Sequence, residues 1–298
     1  MKKIGFIGLG IMGRPMAKNL LKAGFPLLVF DLNPAAVEDL VKAGAEAARS
    51  SKGVAEKTEI IITMLPDSPE VKAVILGKEG VAEGVKAGSL VIDMSSINPL
   101  VSQEIAKVLK GKGVEMLDAP VSGGEPMAIQ GTLSIMVGGD AKIFNECLDL
   151  FKYMGKNIVH AGPLGAGGFT KLCNQIIVAL NIAAVGEAFT LGVKAGLDPQ
   201  VIFQAIRGGL AGSTVMEAKV PMIISRNFKP GFKIKLHHKD LNNALSTAKD
   251  LGVSLPFSSL IQQVLVSLIT DGKEENDHSA IATFFEKMSK VEICSPKQ

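Results

Sequence analysis

The first 162 residues alternate short apolar runs, rich in β-branched residues, with amphipathic stretches of helical period. The apolar runs predict strands at "KIGFIG", "PLLVF", "EIIITML", "SLVIDM", "VEMLDAP", "LSIMVGG" and "NIVHAG". The amphipathic stretches predict helices near residues 14–23, 34–43, 70–76, 99–110 and 141–152. Because strands and helices alternate, we predict an α/β domain with a parallel sheet over residues 1–162.

Beyond Gly168 the β-rich runs stop, and apolar residues recur at helical spacing through residues 170–196. A continuous helix of that length would measure about 40 Å. Later helices are predicted to begin at Asp198-Pro199, Pro221, Lys239 and Pro256. We therefore predict an all-helical second domain over residues 163–298, joined to the first by the long helix, with the chemistry in the cleft between them.

The charges of the chain exclude one class of partner. Basic and acidic residues are interspersed and leave a formal net charge of +3 over 298 residues. Nucleic acid is therefore not expected as a partner, because its recognition requires a concentrated basic surface. The three cysteines form no CxxC pair and the four histidines no HxxxH pair, which predicts no metal site and a reducing, cytoplasmic location.

The long apolar helix raises the question of a membrane. It carries polar residues inside any possible span, at Asn174, Gln175, Asn181 and Glu187. Such residues are costly in lipid, so we predict a buried helix and no membrane partner. The helix is also too apolar for one small domain to cover, which predicts a homo-oligomer, a dimer or a tetramer.

The segment "IGFIGLGIMGRPMAKNLLKAG" places Gly8, Gly10 and Gly13 as G-x-G-x-x-G between a predicted strand and a predicted helix. A tight turn, a close approach of the backbone to a pyrophosphate, and close packing of helix on strand each require glycine. The intervening residues of the loop are Leu9, Ile11 and Met12. A glycine-rich turn of no functional consequence is the alternative, but the flanking elements favour a Rossmann-type doubly wound sheet that binds a dinucleotide.

The end of the second strand bears on which dinucleotide binds. Asp31 follows "PLLVF" about 20 residues after the first glycine, where an acid binds the ribose hydroxyls of NAD. Leu32 stands where an NADP enzyme would want arginine, so NAD is favoured, with some NADP use left open. Further cofactor contacts are predicted at Asn33, Leu65, Pro66, Ser95 and Ser96, although the last four also fit ordinary strand-to-helix turns.

Five segments resemble, in order and spacing, the signature regions of the β-hydroxyacid dehydrogenases. They are "GFIGLGIMGRPMAKNLLKAG", "DAPVSGG", "GTLSIMVGG", "GAGGFTKLCNQ" and "FKIKLHHKDL". The resemblance implies that Lys171 is the catalytic residue and that Asn174 hydrogen-bonds the substrate. It implies that the substrate carboxylate binds at Ser122, Gly123 and Gly124. It also implies that Ser96 and Lys239 lie near the nicotinamide, with Asp240 holding Lys239 at the start of a helix.

The chemistry agrees with that reading of Lys171. Hydride transfer to an aldehyde builds negative charge on the carbonyl oxygen, so a proton donor must lie close to it. Lys171, Asn174 and Gln175 share one helical face, and we expect the neighbouring glycines to leave room for substrate. The helix N-terminus and partial desolvation should lower the lysine pKa. A solvated lysine on the first turn is the alternative.

These observations predict an NAD-dependent reductase of a small 3-oxo acid. Tartronate semialdehyde, reduced to D-glycerate, is the leading substrate that the resemblance implies. Oxidation of 3-hydroxyisobutyrate, or reduction of glyoxylate or succinic semialdehyde, remains open within the same family. A non-catalytic NAD-binding module is the alternative from another class.

Overall fold

A computed structural model describes residues 2–294 of the chain. They form two compact units, of which the first extends to Lys171 and the second begins at Leu172. The division falls inside a helix that spans Ala166–Lys194. It lies nine residues after the boundary that the sequence predicts at residue 162.

The first unit contains one mixed sheet, whose strands belong to the described residues. They are Ile4–Ile7 (β1), Leu27–Phe30 (β2), Glu46–Ala47 (β3), Ile60–Thr63 (β4), Leu90–Asp93 (β5), Glu115–Asp118 (β6), Val121–Ser122 (β7), Leu133–Gly138 (β8) and Gly155–Gly162 (β9). Their order is β3-β2-β1-β4-β5-β6-β8-β7, and β9 pairs with β8. The first six strands run parallel, and β8 is antiparallel to β6. This is the predicted Rossmann-type doubly wound sheet.

Helices connect these strands along the first unit. They are Gly13–Lys22 (α1), Pro34–Lys42 (α2), Ser51–Ala55 (α3), Ser68–Leu76 (α4), Val81–Gly84 (α5), Pro99–Lys110 (α6), Gly124–Gln130 (α7) and Ala141–Lys152 (α8). Two starts follow directly from sequence, because the side chains of Asn33 and Asn98 cap α2 and α6 ahead of a proline. Sequence analysis missed β3, β7, α3, α5 and α7, which are seven residues or shorter and too short for a period to emerge.

Both faces of the sheet are buried, as a parallel sheet requires. Along β1, Ile4 and Phe6 enter one apolar cluster, whereas Ile7 enters a second cluster on the other face. Because the parallel strands share one direction, their carboxyl ends lie along one edge of the sheet. The loops at that edge carry most of the predicted cofactor residues.

The second unit is helical throughout its described residues. Its helices are the remainder of Ala166–Lys194 (α9), Pro199–Ile206 (α10), Thr214–Ile224 (α11), Ile234–Leu251 (α12), Pro256–Thr270 (α13), a 3-10 helix at His278–Ile281 and Ala282–Ser289 (α14). Two predicted starts are wrong. Pro221 lies inside α11, which Ser213 caps by accepting a hydrogen bond from the Met216 amide, and Lys239 lies five residues after the start of α12.

Helix α9 is long and apolar enough to cross a membrane, judged by length and composition alone, and it is the one such helix of its length among residues 2–294. Core helices pass the same test, and Ala179 and Ile182 pack in a buried cluster with Leu241 and Leu265. The finding therefore does not by itself imply a membrane. A stripe of α9 that includes Ile177, Ala184 and Leu191 is exposed.

Candidate active site

The glycine-rich loop between β1 and α1 combines tight packing with one open position. A Cβ on Gly13 would lie 2.0 Å from the carbonyl oxygen of Gly8, and Gly8 itself has a φ of +95°. Both positions therefore require glycine. Gly10 differs, because a Cβ there would meet no atom within 4 Å. The loop thus exposes backbone just before α1, where a pyrophosphate can approach the helix N-terminus.

Asp31 ties the second strand to this loop. Its Oδ2 accepts a hydrogen bond from the Leu9 amide at 2.6 Å, and its Oδ1 accepts one from the Asn33 amide at 2.7 Å. The structure thus joins three of the predicted cofactor residues directly. Leu32 points outward and is 91% exposed. The carboxylate retains further lone pairs for the hydroxyl groups of a ribose.

The loops that follow β4 and β5 are linked by a buried serine. Ser95 Oγ accepts a hydrogen bond from the Leu65 amide at 2.9 Å, and the Ser95 amide donates to Asp93 Oδ1 at 3.2 Å. Ser95 therefore has a structural role in this edge. Ser96 is half-buried and Pro66 is exposed. Taken together, these loops and the α1 loop have the backbone donors and open positions that fit a dinucleotide.

The predicted carboxylate site "VSGG" lies where β7 meets α7. Ser122 ends β7, and Gly123 and Gly124 follow with φ values of 134° and 67°. Gly123 is exposed, and a Cβ on it would lie 2.5 Å from the sulfur of Met127. The backbone here is therefore accessible from solvent and held in a conformation that favours glycine.

Lys171 is the sixth residue of α9 and lies in its second turn, not in the first. The field of a helix terminus declines within one turn, so the N-terminus of α9 has less influence on Lys171 than expected. The alternative of a solvated lysine is wrong, because Lys171 is only 7% exposed. Lysine is rarely so buried without a partner or a function.

The glycines before Lys171 do not leave room for substrate, which corrects the expectation from sequence. A Cβ on Gly167 would lie 2.3 Å from the Met136 carbonyl oxygen, and one on Gly168 would lie 3.0 Å from Pro99 Cβ. Protein atoms already fill the space beside these residues. Their function is to let the start of α9 approach the sheet closely.

Asp118, at the end of β6, is the residue of this region that sequence analysis missed. Its two carboxylate oxygens accept hydrogen bonds from the amides of Gly165 and Gly168, each at 2.7 Å. Burial raises the pKa of Asp118 to about 6, against the opposing effect of those two hydrogen bonds. Its place as the first residue of "DAPVSGG" was the only available signal.

In the second unit, a chain of side-chain contacts joins α9 to α12. Asn174 Nδ2 donates to Gln175 Oε1 at 2.8 Å, and Gln175 Nε2 donates to Asp240. Asp240 also forms an ion pair of 2.9 Å with Lys239. Three predicted residues are therefore connected through Gln175, whose bridging role was not predicted.

The histidines of this unit are buried among other partners. His237 Nδ1 lies 2.9 Å from His278 Nδ1, and His237 Nε2 lies 3.1 Å from the carbonyl oxygen of Gln175. Burial alone would raise the pKa of the neighbouring Asp277, but the charges of His278 and Lys219 lower it to about 2. Among residues 2–294, no group of three or more His, Cys, Asp and Glu side chains could hold a metal ion.

Two family models match the chain. The model described as "NAD binding domain of 6-phosphogluconate dehydrogenase" matches residues 3–162, and the one described as "NAD-binding of NADP-dependent 3-hydroxyisobutyrate dehydrogenase" matches residues 165–285.

Individual proteins match over almost the whole chain. The 2-hydroxy-3-oxopropionate reductase of Escherichia coli is 45% identical over 96% of this chain and 98% of its own. The NAD-dependent L-serine dehydrogenase of Pseudomonas aeruginosa is 41% identical over 96% and 98%. The structure of the 3-hydroxyisobutyrate dehydrogenase of Mycobacterium tuberculosis with L-serine superposes with a TM-score of 0.90, at 32% identity, over 95% of this chain and 98% of that chain.

Proposed function

Because this chain belongs to the β-hydroxyacid dehydrogenase family of oxidoreductases, we propose that it reduces tartronate semialdehyde to D-glycerate with NADH. The observation that carries this proposal is the burial of Lys171, which is 7% exposed, on the same helix as Asn174. A cation in that environment is positioned for chemistry, because burial strengthens its interaction with a developing negative charge.

In this proposal Lys171 is the general acid. Its ammonium group donates a proton to the carbonyl oxygen as the aldehyde becomes an alcohol, and the lysine then regains a proton from solvent. When bound, the nicotinamide supplies the hydride. Asn174 orients the substrate through its carboxamide, whose Nδ2 is directed by the hydrogen bond to Gln175.

The substrate carboxylate is assigned to the Ser122 to Gly124 turn. Exposed backbone amides and a hydroxyl at the end of a strand can bind an anion without a positive side chain. Lys239, paired with Asp240, is assigned to the region of the substrate and the nicotinamide. The dinucleotide is assigned to the Gly8–Gly13 loop with Asp31, Asn33, Leu65, Pro66 and Ser96.

NADH is proposed as the preferred cofactor. Asp31 Oδ2 and Oδ1 accept from Leu9 and Asn33, so its carboxylate is fixed beside the loop. A ribose 2'-phosphate would meet that negative charge with only the exposed, neutral Leu32 beside it. The name of the serine dehydrogenase relative, which specifies NAD, supports the same choice.

The names of the relatives define the substrate question chemically. Glycerate, serine and 3-hydroxyisobutyrate are all 3-hydroxy acids of the same backbone, and they differ in the hydroxyl, ammonium or methyl group at C2. A hydrogen-bonding contact discriminates such groups more strongly than a hydrophobic one. Tartronate semialdehyde is favoured because the reductase of E. coli has the higher identity, 45% against 41%.

The test is the initial rate of NADH loss with tartronate semialdehyde, methylmalonate semialdehyde, glyoxylate and succinic semialdehyde, together with NAD reduction by L-serine. Lys171→Ala should lower kcat by roughly 100-fold or more, since general acid catalysis is worth that much. Lys194→Ala, on the same helix, is the matched control and should retain full activity. A different preferred acid would overturn the substrate assignment, and the absence of any reaction would favour the non-catalytic NAD-binding module.

We also propose that the protein is a cytoplasmic homo-oligomer. The exposed stripe of α9 that includes Ile177 and Leu191, which are 59% and 73% exposed, suits a second copy of the chain. Light scattering should give a dimer or tetramer, and Leu191→Glu should shift it toward the monomer. A monomer at micromolar concentration would contradict this assembly.

A further inference from the structure

The start of α9 is held by one side chain. The first amides of a helix have no partner within the helix. At α9, the amides of Gly165 and Gly168 donate to the two different carboxylate oxygens of Asp118, each at 2.7 Å. Asp118 is 2% exposed, so no water competes for these bonds.

The packing around this contact leaves α9 no freedom to slide. A Cβ on Gly138 would lie 2.3 Å from Asp118 Oδ1 and 2.8 Å from the Ala166 amide nitrogen. A Cβ on Gly167 would lie 2.6 Å from the Asp118 carbonyl oxygen. The backbone of the first turn therefore rests directly on the ends of β6 and β8, and the carboxylate sets its position.

Lys171 follows Gly168 by three residues, which is slightly less than one helical turn. A helix is stiff over that length, so a displacement of its first turn moves the lysine by a similar amount. Proton transfer is sensitive to such shifts, since a misplacement of about 1 Å can cost roughly 100-fold in rate.

We propose that Asp118 is a positioning residue for Lys171, which it locates by binding the Gly165 and Gly168 amides through both carboxylate oxygens. This proposal rests on the proposed function, in which Lys171 is the proton donor. It explains why the residue is an aspartate. Asparagine has a single acceptor oxygen, and its amide group would face one of the two N–H donors.

Asp118 also differs from the side chains that merely cap helices in this unit. Asp140 caps α8 with one oxygen, which accepts from Lys142 and Ile143, and it is exposed. An exposed cap costs little to build. A buried carboxylate is costly to desolvate, and its presence here suits a role that needs two fixed amides.

The experiment is a double-mutant cycle on kcat, measured in the full-length protein. Asp118→Asn should lower kcat about 10- to 100-fold, while the dissociation constant of NADH changes less than about twofold. In the Lys171→Ala background, Asp118→Asn should lower the residual rate less than about twofold, because its effect acts through the lysine. Asp140→Asn is the control and should leave kcat unchanged.

Equal losses in the two backgrounds, or an unchanged kcat in Asp118→Asn alone, would overturn the inference. Failure of the proposed function is a separate result, namely a Lys171→Ala variant with normal turnover. If Asp118→Asn does not fold, Asp118→Ser takes its place, since it is smaller and keeps one acceptor.

Hydrogen exchange gives a second readout that does not depend on turnover. Asp118→Asn should speed exchange of the Gly165 and Gly168 amides about tenfold or more, whereas Asp140→Asn should not affect them. Unchanged exchange at both amides would contradict the positioning role, even if kcat fell.

Discussion

Two helices of the first unit begin behind glycine-rich segments, and each segment is tied to an aspartate at the end of a strand. At α1, Asp31 binds the Leu9 amide, and Gly10 faces open space. At α9, Asp118 binds two amides, and a Cβ on Gly167 would meet backbone atoms at 2.3 Å and 2.6 Å. One helix start is therefore open to a ligand, and the other is closed by protein.

The difference lies in what occupies the space next to each glycine. Glycine permits close approach, but it does not specify whether the approaching atoms belong to a cofactor or to the protein itself. The open start suits a phosphate that arrives from solution. The closed start suits a catalytic side chain one turn later, because its backbone has a fixed position before any substrate binds.

Gly167→Ala is the change with the largest expected effect on this comparison. The added methyl would collide with the backbone carbonyls of Met136 and Asp118, which cannot move aside as a flexible side chain could. Overpacking of this kind costs roughly 3 kcal/mol, or about 5–10 °C in Tm for a chain of this size. Differential scanning calorimetry measures the shift.

The matched change at the open start is Gly10→Ala. Its methyl group would meet no atom within 4 Å, so Tm of the protein without cofactor should change by less than about 1 °C, while the affinity for NADH falls. An equal loss of Tm in both variants would remove the distinction between an open and a closed helix start.

Asp31→Asn tests the open start from the side of the cofactor, with a smaller effect. Loss of the charge should lower kcat/KM for NADH about tenfold, because charge-assisted hydrogen bonds are about twice as strong as neutral ones. The rate with NADPH should fall less, since the repulsion of its 2'-phosphate is relieved. Steady-state kinetics with both cofactors would contradict the assignment of Asp31 if the ratio did not change.

Sequence analysis predicted the architecture well because the pattern of this chain is locally consistent. The family resemblance and the fold class are confirmed, and the caps at Asn33 and Asn98 place two helices correctly. The wrong starts at Pro221 and Lys239 have a physical reason. A proline can lie inside a helix, and the start of α12 carries no side-chain cap that sequence could reveal.

The candidate site was less predictable, because its key contacts join residues far apart in sequence. Asp118 lies 47 and 50 residues before the amides that it binds, and Gln175 lies 65 residues before Asp240. Motifs supply the residue types, but the space next to a glycine depends on which strand lies beside it. The roles of Lys171, Asn174 and the Ser122 to Gly124 turn remain predictions.

The closed helix start should also give stability a specific dependence on pH. The pKa of Asp118 is about 6 in the folded chain and near 3.8 when unfolded. Between these values the folded state keeps a proton that the unfolded state has lost, so stability falls as pH rises through this window and is constant above it. Burial is the main cause, and the charge of Asp93 on the neighbouring strand adds to it.

Asp118→Asn removes this proton, so the Tm of the variant minus that of the wild type should increase from pH 4 to pH 7. The change corresponds to roughly 2 kcal/mol, or a few degrees. Scanning calorimetry of both proteins at matched pH values measures it. A difference that is flat across this range would mean that Asp118 is ionised in the folded chain throughout.

The smallest expected effect returns to the open start. Leu32→Arg should raise kcat/KM for NADPH about three- to fivefold without changing Tm, because Leu32 is 91% exposed and the new guanidinium can reach a 2'-phosphate only in a solvated setting. Exposed ion pairs are screened, so the gain should shrink between 0.05 M and about 0.5 M salt. A gain that persists at high salt would mean that the arginine becomes buried against the cofactor. The absence of any gain would show that the strand end after β2 does not face the adenosine ribose, and the α1 loop would then need another role.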